Sequence, residues 1–101
     1  MTDLALVIKK NTLILKGHIH FKNVQAILEK SLQSIQTMSD ISVDLHQVHN
    51  SDSSGLALLI EYARVANQHK KNIQFLGVPN FIKEIARVYG LTEVLNLSWE
   101  N

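Results

Sequence analysis

Ile41-Ser42-Val43-Asp44-Leu45-His46-Gln47-Val48-His49-Asn50-Ser51-Asp52-Ser53-Ser54-Gly55-Leu56-Ala57-Leu58-Leu59-Ile60 is the stretch that decides the fold. Ile41, Val43 and Leu45 alternate with Ser42 and Asp44, the period of two of a half-buried strand. His46 to Ser54 is rich in Asn, Ser and Asp and reads as a loop. From Ser54 or Gly55 the apolar residues recur at helical spacing to about His69, and Lys70-Lys71-Asn72 ends the run. Ile73-Gln74-Phe75-Leu76 is a further strand. A strand, a helix and a strand in this order predict a βαβ unit, with parallel strands and a right-handed crossover.

Upstream, Leu4, Leu6 and Ile8, then Leu13 and Leu15, flank the polar turn Lys9-Lys10-Asn11 and predict a hairpin. Gly17 allows a bend or bulge before His18-Ile19-His20. From Lys22 the period changes: Val24, Ile27, Leu28, Ser31, Leu32 and Ile35 form one face of an amphipathic helix that fades at Thr37-Met38-Ser39-Asp40. Downstream, Asn80 is placed to cap a helix over Phe81 to Tyr89, Gly90 sits where a helix-ending glycine belongs, and Leu91 to Leu97 suits one more short helical turn. The predicted order is β-β-(β)-α-β-α-β-α. The fold class is α/β, a two-layer sandwich of a mixed β-sheet with helices mainly on one face.

At 101 residues this is one domain, 1–101, and the 46% hydrophobic but only 6% aromatic composition implies an aliphatic core. Ten basic and nine acidic residues leave a net charge of +1, and the basic doublets Lys9-Lys10 and Lys70-Lys71 fall at turns, which disfavours a nucleic-acid role. The lack of cysteine excludes disulfides, thiolate catalysis and Cys-type zinc sites. No apolar run approaches a membrane span or a signal-peptide core, so the expectation is a soluble, cytoplasmic chain without direct membrane insertion.

The long helix carries more apolar surface than one face requires. Leu56, Leu59, Ile60, Ala63 and Ala66 form a stripe wide enough to cover a sheet, and Glu61, Arg64 and Gln68 form the solvated side. Leu58, Tyr62 and Val65 form a second stripe. It either packs against a neighbouring helix of the same domain or offers a partner surface with Tyr62 as anchor. At the start of this helix, Asp52-Ser53-Ser54-Gly55 can cap free N–H groups. A phosphate on Ser53 would meet the positive helix end favourably and the Asp52 carboxylate unfavourably. An ordinary cap is the plainer reading.

Val43-Asp44-Leu45, a polar spacer and Asp52-Ser53-Ser54-Gly55-Leu56 resemble the signature of the STAS domain family. Anti-sigma-factor antagonists of that family carry Asp-Ser-Ser-Gly-Leu here, with the first serine phosphorylated; that role would fall on Ser53. Outside the loop, Thr12 to Gly17, Gly55 to Ile60, Leu76-Gly77-Val78, Ile85 to Leu91 and Val94-Leu95 resemble the MlaB-like branch, the STAS subunit of bacterial phospholipid-transport ABC systems. That branch usually has Thr and a small residue where this chain has Ser53-Ser54. The resemblance implies a non-catalytic accessory subunit of a phospholipid-trafficking ABC transporter. It would dock on the cytosolic ATPase subunit through Ser51, Asp52, Ser53, Ser54, Leu58 and Tyr62, and so lie peripheral to the inner membrane. The alternative is an anti-sigma-factor antagonist that binds an anti-sigma factor kinase and is switched by phosphorylation of Ser53.

Other chemistries find little support. His18-x-His20 and His46-x-x-His49 lack the carboxylate or cysteine that would complete a metal-ligand spacing, although His49 lies close enough to the loop to meet a partner. Ser53 is not in a nucleophile elbow, and no Walker A or Gly-x-Gly-x-x-Gly run is present. The expectation is therefore no enzyme, no cofactor and no metal.

Overall fold

The computed structural model of the chain describes residues 4–92. β1 (Leu4–Lys9) and β2 (Thr12–Ile19) form the expected antiparallel hairpin, with Leu6 opposite Leu15 and Ile8 opposite Leu13. Then come α1 (Val24–Thr37), β3 (Asp40–Ser51), α2 (Ser54–Gln68), β4 (Asn72–Leu76) and α3 (Asn80–Val88). The sheet order is β1-β2-β3-β4, antiparallel in the first pair and parallel in the next two. The mixed sheet and the parallel pair joined by α2 match the sequence reading. α1 adds a second connection of the same kind, between β2 and β3.

One face of the sheet is apolar because the strands present it in register. Leu13, Val43 and Phe75 lie side by side across three strands, each at 0% exposure. Leu15 and Leu45 extend this face, and the helices close it with Ile27, Ile35, Leu56, Leu59, Ile82 and Ala86. Each of the Leu, Ile, Val and Phe side chains among them contributes about 1.5–3 kcal/mol on burial. The other face is polar: Lys16 is exposed, and Gln74 Nε2 donates to Ser42 Oγ at 2.8 Å. The layers are those of the predicted two-layer sandwich.

Three boundaries differ from the sequence reading. β3 does not end at Leu45 but runs to Ser51, through most of the expected loop. β2 is also longer than expected, reaching Ile19, so Gln47, Val48 and Asn50 meet a parallel partner. Between Ile14 and Lys16 and between Gly17 and His18 the pairing shifts, and at each point β3 advances one residue more than β2. These bulges break the alternation, leaving Leu45, Val48 and Ser51 buried with exposed pairs between them. Gly17 (φ 117°) lies inside β2, so His18-Ile19 continues that strand and does not start another. In α3, Asn80 is the first helical residue and Pro79 (φ −61°, ψ 147°) takes the cap position, which suits a residue with a locked φ and no N–H to leave unpaired.

The helix ends are closed by left-handed residues. Gly90 (φ 67°) fills the place foreseen for it, with Gly90 N donating to Arg87 O (3.0 Å) and Leu91 N to Ala86 O (2.8 Å). α2 ends in the same way with Lys71 N on Ala66 O (2.8 Å), but here the left-handed residue is Lys70 (φ 57°). Lys10 (φ 51°) is left-handed too, in the hairpin turn; such a conformation costs a residue with a Cβ about 1–2 kcal/mol. The short helical turn expected over Leu91 to Leu97 lies, from residue 93, outside the described residues.

Candidate functional site

The amino end of α2 is held by Asp52. Where β3 stops, Asp52 N donates to Ile19 O at the end of β2 (3.1 Å). One carboxylate oxygen of Asp52 accepts Ser54 N (2.8 Å), and the other accepts Phe21 N in the β2–α1 turn (3.3 Å). Its carbonyl accepts both Gly55 N (3.0 Å) and Ser51 Oγ (2.7 Å). The sequence reading put serine and aspartate here as capping residues. Asp52 makes the cap, whereas Ser53, with helical φ and ψ of −63° and −13°, makes no side-chain cap bond. Burial pushes the Asp52 carboxyl up, but the Ser54 N–H and hydroxyl, the Phe21 N–H and the nearby His20 outweigh it and hold the group below its ordinary value.

These bonds sort the three hydroxyls. Ser51 is buried and donates to the Asp52 carbonyl. Ser54 is half-buried, its N–H is bonded to the Asp52 carboxylate, and its hydroxyl helps to hold that carboxyl below its ordinary value. Ser53 is exposed, and no hydrogen bond holds its hydroxyl among the described residues. Of the three hydroxyls, that of Ser53 is the one on an exposed residue, at the positive end of a fifteen-residue helix. Gly55 lets the turn close. A Cβ there would run into the Ser51 hydroxyl and come within 2.8 Å of Ile82 Cδ1 on α3, so α2 and α3 meet at this point with no room for a side chain.

Two of the six predicted docking residues are elsewhere. Leu58 (1% exposed) and Tyr62 (0%) lie in the hydrophobic core and offer no surface to a partner. The reason is α1, which lies against α2 and takes up the second apolar stripe. The Tyr62 hydroxyl is 2.7 Å from Ser31 Oγ of α1, and Ser31 donates its own proton to Ile27 O (2.7 Å). By proton count the phenol is the donor of the pair. Of the two readings open for this stripe, packing within the domain is the one realised.

The surroundings of Ser53 hold residues that the sequence did not single out. Phe21 is 71% exposed, and its N–H is bonded to Asp52. Phe81, half exposed, precedes the Ile82 that abuts Gly55. An aromatic residue stranded in the polar run His20-Phe21-Lys22 was the available signal for the first. A cleft of about 290 Å³ lined by His18, Ile19, His20, Asn50, Ser51 and Asp52 opens beside the turn. His18 and His49 meet edge to face across the two strands, with ring centroids 6.4 Å apart, so the structure pairs histidines that sequence spacing did not. His46 is drawn off to Asp44 (2.8 Å) and over Gly77. Among the described residues no group of three or more His, Cys, Asp or Glu is disposed to hold a metal ion, and no helix there is long and apolar enough to cross a membrane.

Comparison with known proteins gives the following likenesses. A family model described as "Mlab, STAS domain" matches residues 4–97. The anti-sigma-B factor antagonist of Staphylococcus epidermidis is 32% identical over 59 residues, which are 58% of this chain and 55% of that protein. The chain thus spans about half the length of the curated relatives it matches. An anti-sigma-factor antagonist (STAS) domain protein from Planctomyces limnophilus superposes with a TM-score of 0.70 at 17% identity, covering 92% of this chain and 86% of the other. The Bacillus cell-fate determinant SpoIIAA in its phosphorylated form superposes with a TM-score of 0.68 at 18% identity, covering 89% and 86%. At these identities the structural likeness speaks for the fold.

Proposed function

Since this chain belongs to the STAS domain family, we propose that it is a protein-docking module of the anti-sigma-factor-antagonist type, switched by phosphorylation of Ser53. Unmodified, the Asp52-Ser53-Ser54 turn would be covered by a partner of the anti-sigma factor kinase class. Phosphate on Ser53 adds between one and two negative charges next to an Asp52 carboxylate that is already charged. In a dry contact that addition strongly disfavours the complex. The observation that carries the proposal is the sorting of hydroxyls: Ser51 is buried and bonded, Ser54 is half-buried, and Ser53 is exposed without a partner among the described residues. The Staphylococcus relative, named an anti-sigma-B factor antagonist, supports the same choice. This reverses the order drawn from the sequence resemblance, in which the transport subunit came first.

The experiment is incubation of the purified chain with anti-sigma factor kinases and ATP, with the modified residue mapped by mass spectrometry. Stoichiometric phosphate on Ser53, lost in Ser53→Ala, is the expected result; phosphate on Ser51 or Ser54, or none, counts against the switch. The description of the matching family model favours a second reading, an accessory subunit that docks on the ATPase of a phospholipid-transport ABC system through the same turn. In that case the ATPase and its membrane permease are recovered with the chain from the native cell, and Ser53 stays unmodified.

A further inference from the structure

We infer that the end of the sheet opposite the Ser53 turn is a contact surface for an anionic lipid bilayer. The two lysine doublets lie far apart in sequence, but the strand register brings them to one end. Asn11, in the hairpin turn with Lys10, accepts Ser42 N through its carbonyl (2.9 Å), and Asp40 pairs with Asn72 immediately after Lys70-Lys71. The turn at Lys9-Lys10 and the entry to β4 are therefore two to three strands apart across the sheet, roughly 10–15 Å. Ile8, 46% exposed, sits beside Lys9.

Three features favour a partner with spread negative charge. None of the four lysines forms an ion pair among the described residues, whereas both arginines are tied to neighbours, Arg64 to Glu61 and Arg87 to Glu84. Asp40, the acid that shares this end, is held by Asn72 Nδ2 (3.0 Å) and sets one negative charge against four ammonium groups. Lys10 and Lys70 both occupy left-handed positions where glycine would be free of strain, so the charge sits where backbone preference alone would not put it. Ammonium groups on flexible stems, without an arginine fork, suit many mobile headgroups better than one oriented phosphate or base edge. A bilayer held at this end leaves the Ser53 turn, a length of β3 away, facing the solution.

The test is co-sedimentation of the full chain with vesicles of phosphatidylcholine containing phosphatidylglycerol, beside vesicles of phosphatidylcholine alone. Binding is expected on the anionic vesicles at low salt, weakening as salt is raised and absent on the neutral ones. Lys10→Gly and Lys70→Gly should each weaken partition by about five-fold while keeping or raising the melting temperature. Adding Lys9→Gln and Lys71→Gln should extend the loss by about the same factor per lysine. Ser53→Glu should leave vesicle binding unchanged, so the switch and the lipid contact succeed or fail separately. No binding to anionic vesicles, equal binding to neutral ones, or full binding by the quadruple variant overturns the inference. So does tighter binding of duplex DNA or an acidic polypeptide to the same lysines.

Discussion

Removing the Tyr62 hydroxyl tests the packing that withdraws this residue from the surface. In Tyr62→Phe the ring stays in place and the bond to Ser31 Oγ is lost. Ser31 keeps its own donor bond to Ile27 O, so no buried donor is stranded and the cost should be about 0.5–1.5 kcal/mol. Ser31→Ala leaves the phenol as a buried donor without an acceptor and should cost about 1–3 kcal/mol. The double variant should be no worse than Ser31→Ala, because both partners are gone, and the cycle should give a coupling of about 1 kcal/mol. Tyr62→Ala, which empties the site, should cost about 3–5 kcal/mol. The same site has a pH signature. Burial, partly opposed by the Ser31 bond, pushes the Tyr62 phenol up to about 12 from 10. Its folded value lies above its unfolded one, so this contribution is complete below about pH 10 and is lost as pH rises towards 12. Urea unfolding read by circular dichroism gives the four stabilities, and absorbance of the phenolate gives the titration. Unchanged stability in Tyr62→Ala, together with weakened partner binding, would refute the packing and restore Tyr62 as a surface anchor.

Ser53→Glu should abolish recovery of the bound kinase in a pull-down while changing stability by less than about 0.5 kcal/mol, since the residue is exposed and its side chain makes no cap bond. Asp52→Ala should cost about 1–2 kcal/mol in thermal melts, because it removes the bracket between Ser54 N and Phe21 N. The wild-type carboxyl is held below its ordinary 3.8, so its contribution is present above that pH and fades as pH falls through the lowered value; the variant's stability curve should run flatter there. Gly55→Ala should cost about 1–3 kcal/mol by driving a methyl group into Ser51 and Ile82, and hydrogen exchange should show the loosening at the amino end of α2.

What was legible in the sequence follows from short-range rules. The period of two in Ile41-Val43-Leu45 and the change of period after Lys22 reported which backbone ladder each segment can satisfy. Gly90 reported a left-handed turn because a residue without Cβ occupies that conformation without strain. The Asp52-Ser53-Ser54-Gly55 turn was visible as a helix start. Its division of labour was not, since it depends on the Ile19 carbonyl and the Phe21 amide, which come from a different strand and turn. β3 beyond Leu45 was hidden for the same reason: His46 to Asn50 is too polar a run to signal a strand, and the pairing of Gln47, Val48 and Asn50 with β2 carries it.

By itself the sequence determined the order of elements, the mixed α/β class and the place of the serine turn, because these rest on local periodicity and capping. Which face of α2 meets water was decided by the tertiary structure. A second apolar stripe is the same pattern whether a partner or α1 covers it, and only the packing of α1 on Leu58 and Tyr62 separates the two. The gathering of two distant lysine doublets at one end was likewise decided by strand register, since charge acts through space and is blind to separation along the chain.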